Sequence, residues 1–141
     1  MPFVDKDHIG HWGWSYGGFM SSLAITKGAD VFRAAIAVAP VTSWRYYDNI
    51  YTERYMGLPQ ENMEDYVKGS AINYAKNLEG NLLLIHGSGD DNVHYSNSEA
   101  LINELVKYNK QFQFMEYPNR THNISEGEGT WNHLSTLYSN Y

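Results

Sequence analysis

The chain has 141 residues, which suits one domain and is short for two, and ten basic against 16 acidic residues give a formal net charge of −6. With no long basic stretch, nucleic acid and anionic membrane surfaces are disfavoured as partners, and the absence of cysteine excludes disulfides, a thiolate nucleophile and cysteine-ligated zinc. The longest apolar run, at residues 34–41, is too short to cross a bilayer, and the opening residues lack the pattern of a signal peptide.

Four strand-like segments recur along the chain. They are predicted at residues 8–13, 32–39, 81–86 and 112–117. The two middle segments are largely apolar, which is typical of strands buried on both faces of a sheet. Because helical segments separate the strands, right-handed crossovers and parallel pairing are expected. The sequence therefore predicts an α/β fold with a mostly parallel sheet of about four strands and helices on both faces.

Helical patterns fill the intervals between these strands. Residues 17–27 carry apolar side chains at helical spacing, and another helix is predicted from Ser96 or Ser98 to about Asn109. A last helix begins at about Thr130, and the chain ends inside it. Short helices are expected in the polar stretch 58–77.

One further helix is predicted after the second strand. Thr42 or Ser43 is a suitable N-cap for it. Its neighbouring turns would carry Trp44, Tyr47, Asp48 and Tyr51. The three rings of this set are spaced to share one helix face, and without further information core packing is the favoured interpretation of that stripe.

The motif Gly13-Trp14-Ser15-Tyr16-Gly17 lies between the first strand and the first helix. In a G-x-S-x-G turn the serine occupies a strained position that exposes its hydroxyl, and the flanking glycines leave room for close packing of strand and helix. Backbone N–H groups at the helix start can hold an oxyanion. The motif also occurs by chance as a plain Gly/Ser turn, but its position between strand and helix favours Ser15 as a nucleophile.

A serine nucleophile needs a base, and the base needs an orienting acid. In this type of fold they follow in the order serine, acid, histidine. His122 is the histidine in the loop after the last strand, whereas His86 ends a strand and suits a satisfied core position. Asp90 and Asp91 both lie in the loop after the previous strand, at the sheet edge where sites of open α/β sheets gather. Either carboxylate could serve as the acid.

A metal site is the main alternative for the same region. His86, Asp90, Asp91 and His94 are close in sequence and are suitable ligand types. They lack the pair of histidines one helical turn apart that zinc hydrolases use. The triad is therefore favoured, and neither a metal nor another cofactor is predicted.

Four segments of the chain form a distinctive set: GWSYGG, AVAPVTSWRYYDNIYTERYMGLP, LLIHGSGDDNVH and RTHN. Together they resemble the catalytic domain of dipeptidyl peptidases in the prolyl oligopeptidase family of serine peptidases, and the resemblance covers nearly the whole chain. It implies a partial α/β-hydrolase fold and an exopeptidase that releases N-terminal dipeptides with Pro, or less well Ala, at the second position. For the full-length protein it implies a periplasmic, membrane-associated or extracellular location.

The resemblance also assigns roles to individual residues. Ser15 matches the nucleophile, His122 the general base, and Asp90, rather than Asp91, the orienting acid. The N–H of Tyr16 matches one oxyanion donor, and the Asn92 side chain matches a group that holds a backbone carbonyl of the substrate. The residues that match the wall of the proline pocket are Tyr16, Val41, Trp44, Tyr47, Tyr51 and Val93.

Other family features have no counterpart in these residues. They are a propeller domain with the acidic pair that captures the substrate amine, the early hydrolase strands, and a tyrosine that supplies the second oxyanion donor. We therefore expect residues 1–141 to be the C-terminal part of a hydrolase domain, weakly active alone. The alternatives are an acylaminoacyl or oligopeptide hydrolase of the same family and a non-catalytic interaction domain of hydrolase shape.

The first strand is expected to be central in a complete hydrolase sheet. No strand precedes it in this sequence to cover its outer edge. An open strand edge invites pairing with another chain. A homodimer, or other self-association through this edge, is therefore expected.

Overall fold

A computed structural model describes residues 2–141 and shows one parallel sheet. Its strands are β1 (Gly10–Trp14), β2 (Ala34–Val38), β3 (Asn81–Gly87) and β4 (Gln113–Tyr117). They lie side by side in the order β1-β2-β3-β4, and each neighbouring pair is parallel. The predicted α/β fold with a parallel sheet of about four strands is confirmed.

Helices cover both faces of this sheet. The first face carries α1 (Tyr16–Thr26), α4 (Ser96–Lys107) and a 3-10 helix (Ala71–Asn77), and the second carries α5 (Thr130–Asn140). No helix within residues 2–141 has both the length and the apolar character needed to cross a membrane.

The central strand β3 divides the core by simple alternation. Leu82 and Leu84 pack in the cluster beneath α1 and α4, whereas Leu83 and Ile85 pack in the cluster beneath α5. All four side chains are buried. Burying each of these side chains contributes roughly 1.5–3 kcal/mol to folding, so β3 holds the start of the following loop in a stable position.

Most strand boundaries differ from the prediction by one or two residues, and two of these differences have a clear local cause. β1 begins at Gly10 because His8 belongs to a turn in which its N–H and its ring both contact Asp5. β2 ends at Val38 because Ala39 has a φ of 43°, which no extended strand accommodates.

The helix predicted after Thr42 or Ser43 is wrong as a single element. Ser43 accepts a hydrogen bond from Arg45 N at 3.4 Å and begins only a 3-10 turn, Trp44–Tyr46. Tyr47 is extended, and Asp48 then caps α2 (Asn49–Met56) by accepting from Tyr51 N at 3.1 Å. Because two successive capping residues each start a new element, the three rings do not share a helix face.

The polar stretch 58–77 forms short helices as predicted. They are α3 (Met63–Lys68) and the 3-10 helix Ala71–Asn77. Tyr66 of α3 is buried and donates its hydroxyl to Gly57 O at 2.7 Å. This bond ties α3 to the end of α2.

Self-association through β1 stays a prediction, and the structure supplies its geometry. Within residues 2–141, the outer edge of β1 has no neighbouring strand. Ser15 N donates to Val38 O on the inner side, and alternation along the strand turns the N–H of Trp12 toward the open edge. The Trp12 side chain is 56% exposed. This edge is suited to pairing with a second chain.

We expect the average molar mass of the 141-residue polypeptide, measured by light scattering, to increase with protein concentration. Trp12→Lys places a charge on the edge and should reduce this association. Val106→Lys adds the same charge on the exposed surface of α4 and should leave it unchanged. A monodisperse monomer of the unsubstituted chain at high concentration would contradict the prediction.

Candidate active site

Ser15 forms a strained turn between β1 and α1. Its φ of 59° and ψ of −114° are rare for a residue with a side chain, and such a conformation costs on the order of 1–3 kcal/mol. Backbone bonds hold it in place: Ser15 N donates to Val38 O at 2.8 Å, and Phe19 N donates to Ser15 O at 2.9 Å. The Ser15 hydroxyl does not cap the helix and is free for chemistry.

The glycines around Ser15 do not have equal roles. A Cβ on Gly13 would overlap the backbone of Gly17, and one on Gly18 would lie 2.5 Å from Val38 O. A Cβ on Gly17 would meet nothing within 4 Å among residues 2–141. Both flanking glycines were expected to permit close packing, which is right for Gly13 and wrong for Gly17. The second glycine that close packing requires is Gly18.

Tyr16 begins α1 directly after the turn. The first N–H groups of a helix have no acceptor within the helix, and the helix dipole makes this end favourable for negative charge. The Tyr16 side chain is 54% exposed and leans on Phe19 and Trp44, with ring centroids 5.4 and 6.0 Å away. The Tyr16 N–H lies in this first turn, directly after Ser15, which is a position suited to binding an oxyanion.

The carboxylate of Asp90 is fully buried and accepts four hydrogen bonds. Asn92 N and Val93 N each donate to Oδ1 at 2.9 Å, which closes the turn after β3. Oδ2 contacts His122 Nδ1 at 2.7 Å and His86 Nε2 at 3.2 Å, and the side chain has no exposed surface. Every position around this carboxylate is therefore filled by a donor.

These bonds decide the protonation state of Asp90. Burial by itself would raise the pKa of the carboxyl, but hydrogen bonds from His122, His86 and the backbone of Asn92 outweigh burial and hold the pKa well below its ordinary value. Asp90 is ionised at neutral pH and can only accept. His122 therefore carries its proton on Nδ1, which leaves Nε2 available as a base.

Asp91, the neighbouring carboxylate, has a different environment. It is exposed, and its side chain makes no hydrogen bond within residues 2–141. Only Asp90 of the two reaches a histidine ring in this part of the chain. The geometry therefore favours Asp90 over Asp91 as the orienting acid.

The loop after β4 brings His122 to the end of the sheet at which the carboxyl ends of the strands lie, where Ser15 also lies. Trp14, directly before Ser15, donates its indole N–H to His122 O at 2.9 Å. The imidazole is 17% exposed, so it is accessible to a substrate. No hydrogen bond joins Ser15 Oγ to His122 among residues 2–141. Asp90 and His122 are thus in direct contact, whereas Ser15 is connected to them through the indole of the adjoining Trp14. Catalytic contacts often tighten only when substrate binds.

The expected wall of the proline pocket is an aromatic cluster. Trp44 stacks on Tyr51 with centroids 6.0 Å apart, and Tyr47 meets both rings edge-on. Val41 and Val93 are buried in the same cluster. The predicted rings therefore come together, although by way of a 3-10 turn and a separate helix.

A cavity of about 560 Å³ opens beside this cluster. Three predicted pocket residues line it, Tyr16, Trp44 and Tyr51. The sequence reading missed the other lining residues, which are Phe19, Thr52, Tyr55, Met56 and Gly69. Tyr55 follows Tyr51 by one helical turn, and that spacing could have identified it.

Asn92 is held by a neighbouring phenol. The Tyr47 hydroxyl donates to Asn92 Oδ1 at 2.8 Å. Burial, together with Tyr51 and nearby carboxylates, raises the pKa of Tyr47, so the phenol keeps its proton and remains a donor. The Asn92 amide nitrogen is left free to donate to a carbonyl, as the family resemblance implies.

The residues of the metal alternative separate in the structure. His86 and Asp90 are in contact, while Asp91 and His94 are exposed on the following turn. Across residues 2–141, no three His, Cys, Asp or Glu side chains come together as a set of metal ligands.

A family model described as "Prolyl oligopeptidase family" matches residues 1–139. The chain belongs to the prolyl oligopeptidase family. Because this is a family of peptidases, the chain is part of a hydrolase. The buried Asp90–His122 pair is suited to the proton transfers of peptide hydrolysis.

The relatives of this chain include prolyl endopeptidases and dipeptidyl peptidases. It is 45% identical to mouse prolyl endopeptidase FAP over 146 residues and 44% identical to cat dipeptidyl peptidase 4 over 144, in both cases covering 100% of this chain and 19% of the relative. The crystal structure of Porphyromonas gingivalis dipeptidyl peptidase 4 matches with a TM-score of 0.95 and 45% identity, over 99% of this chain and 20% of that one. The resemblance to dipeptidyl peptidases and the partial α/β-hydrolase fold are confirmed. The chain spans about a fifth of the length of these relatives.

The unequal roles of the glycines give a prediction. Gly13→Ala should destabilise the chain by about 1–3 kcal/mol or prevent folding, because the new Cβ overlaps the Gly17 backbone. Gly17→Ala meets open space and should be neutral or stabilising by up to about 1 kcal/mol, since alanine is the better helix former. Urea unfolding followed by circular dichroism measures both. Equal losses for the two variants would show that the packing argument is wrong.

Proposed function

We propose that this chain carries the catalytic triad of a serine peptidase that releases N-terminal dipeptides with Pro, or less well Ala, at the second position. The observation that carries the proposal is the 2.7 Å contact between Asp90 Oδ2 and His122 Nδ1. This contact lies at the carboxyl ends of the strands, where the strained turn exposes Ser15. The dipeptidyl peptidase relatives support the reaction class.

In the proposed mechanism, Ser15 Oγ attacks the scissile carbonyl while His122 Nε2 accepts its proton. Asp90 holds the Nδ1 proton and stabilises the imidazolium that forms. The Tyr16 N–H donates to the oxyanion. His122 then protonates the leaving amine, the C–N bond breaks, and an acyl-enzyme remains on Ser15. Water, deprotonated by His122, releases the dipeptide and restores the serine.

The ring cluster supports proline specificity. A proline ring is apolar, compact and rigid, and it loses little conformational entropy when it enters a pocket walled by flat rings. Tyr16, Trp44 and Tyr51 line the cavity as such walls. Tyr47, Val41 and Val93 pack in the cluster behind these rings and support them. An alanine side chain would fill the same space less completely, which accounts for its lower rank as a substrate.

A prolyl endopeptidase is the second candidate, because one relative carries that name at an identity close to that of the dipeptidyl peptidases. The two activities share the proline pocket and differ in whether the substrate needs a free amine. Hydrolysis of Gly-Pro anilide and of its N-acetylated form by the complete gene product separates them. The proposed exopeptidase hydrolyses the free form, whereas comparable hydrolysis of the blocked form would favour the endopeptidase or acylaminoacyl alternative.

The nucleophile can be identified by covalent labelling. A fluorophosphonate probe should react with Ser15 in the complete gene product, because the Ser15 hydroxyl makes no capping bond to α1 and the adjoining Trp14 is bonded to the His122 carbonyl. Mass spectrometry locates the adduct. Ser125→Ala, in the exposed loop three residues after His122, is a matched control that should label normally. Labelling that persists in Ser15→Ala would refute the proposed function.

The two adjacent carboxylates give a second test. Asp90→Asn should lower kcat by on the order of 10⁴, because an amide in place of the carboxylate favours the wrong tautomer of His122. Asp91→Asn should have little effect, because Asp91 is exposed and makes no contact with either histidine within residues 2–141. Steady-state kinetics of both variants with Gly-Pro anilide decide the question. A larger loss in Asp91→Asn would reverse the assignment.

The 141-residue polypeptide by itself should be nearly inactive. Within residues 2–141 the turn offers the Tyr16 N–H as an oxyanion donor, whereas the family pattern uses two donors, and losing one costs ~10²–10³ in kcat. The acidic pair that the family pattern uses to hold the substrate amine has no counterpart among these residues, so weaker orientation of the substrate is expected. We expect Gly-Pro anilide hydrolysis close to the Ser15→Ala background. Turnover similar to that of the complete gene product would contradict this expectation.

A further inference from the structure

His86 lies at the end of β3 and has no exposed surface. Its Nδ1 lies 2.7 Å from the hydroxyl of Ser98 in α4. Its Nε2 lies 2.9 Å from Val93 O and 3.2 Å from Asp90 Oδ2. The ring therefore has a polar partner on each nitrogen, and one of those partners is the oxygen that also receives His122.

The partners determine where the protons of this ring lie. Val93 O and the ionised Asp90 carboxylate can only accept hydrogen bonds, so Nε2 must carry a proton that is shared between them. Nδ1 faces Ser98, whose hydroxyl can donate to it. The opposite tautomer would place an unprotonated Nε2 against two acceptors, which is unfavourable in a buried site.

The contacts of His86 also differ in rigidity from those of His122. His86 belongs to the central strand of the sheet, between buried neighbours, whereas His122 belongs to the loop after β4. Asp90 lies in a turn whose carbonyl at Val93 is held by the same His86 Nε2. The fixed imidazole thus restrains both the Asp90 side chain and the turn that carries it.

We propose that His86 is a positioning residue for the triad. Its Nε2–H holds Asp90 Oδ2 where that oxygen receives the Nδ1–H of His122, and the Ser98 hydroxyl fixes the His86 ring. The inference rests on the proposed serine-peptidase function. If His86 were only a satisfied core residue, its replacement would affect stability and leave the turnover of folded enzyme unchanged.

The test compares three substitutions in the complete gene product. His86→Leu removes the donor while keeping an apolar side chain in the core, His86→Gln places an amide N–H near the position of Nε2, and Ser98→Ala releases the ring. We expect His86→Leu to lower kcat by roughly 10–100-fold, by analogy with outer hydrogen-bond partners of metal ligands, with KM changed less than about twofold. His86→Gln should recover most of that loss, and Ser98→Ala should lower kcat with KM unchanged.

His11 offers a matched control on β1. Its Nδ1 lies 2.8 Å from the hydroxyl of Ser21, so His11→Leu also removes a histidine–serine hydrogen bond from the sheet. It makes no hydrogen bond to Asp90 or His122 among residues 2–141. His11→Leu should keep the kcat of the unsubstituted enzyme. Thermal unfolding of each variant records the change in stability separately.

The outcomes separate this inference from the proposed function. Labelling of Ser15→Ala by the fluorophosphonate would overturn the serine-peptidase function itself. If Ser15→Ala is inactive but His86→Leu keeps its kcat, or if His86→Gln loses as much as His86→Leu, the positioning role is overturned. Should His86→Leu fail to fold, Ser98→Ala decides: a lower kcat supports the role, and an unchanged kcat overturns it.

Discussion

Asp90 is a charged group with no exposed surface, and a buried charge is tolerated only when its hydrogen bonds are complete. Its donors come from three places: the turn that follows β3, His86 within β3, and His122 in the loop after β4. Each oxygen has two of these donors, so removing any one of them leaves that buried oxygen with a single hydrogen bond. The position of the His122 loop is therefore part of the stability of the fold as well as of its chemistry.

The strained turn at Ser15 depends on a second constraint, the close approach of α1 to β1 and β2. Gly13 lies against the Gly17 backbone, and Gly18 lies against Val38 O. Both contacts require the absence of a side chain, and they bring the start of α1 over the carboxyl ends of the strands. The free N–H groups at that helix start then face the edge where the Asp90–His122 pair lies, because parallel strands deliver their carboxyl ends to one edge.

The sequence predicted what depends on order along the chain. Alternating apolar and helical segments identified the parallel sheet, and the position of Ser15 between strand and helix identified the strained turn. It did not predict features that depend on which atoms meet. Ring spacing suggested one helix for Trp44 and Tyr51, but the caps at Ser43 and Asp48 break the segment, and a cap forms or fails according to local backbone angles.

The contacts of His86 could not be predicted from the sequence for the same reason. Its place at the end of an apolar strand indicated a satisfied core histidine, which is correct as far as burial goes. Only three-dimensional contacts show that one of its partners is the Asp90 carboxylate, which also binds His122. The link between the Trp14 indole and His122 O likewise joins residues 108 positions apart, and no local pattern marks it.

The turn formed by residues 90–93 contacts both the aromatic cluster and the Asp90–His122 pair. Val93 packs its side chain among the pocket residues, while its N–H binds Asp90 and its carbonyl binds His86. Asn92 donates its backbone N–H to Asp90 and receives the hydroxyl of Tyr47 on its side chain. Val93 belongs to the same buried cluster as Phe19 and Trp44, which line the cavity, so the turn that closes on Asp90 is packed against the cavity wall. The proposed triad and the proposed proline pocket therefore share one short segment of the chain.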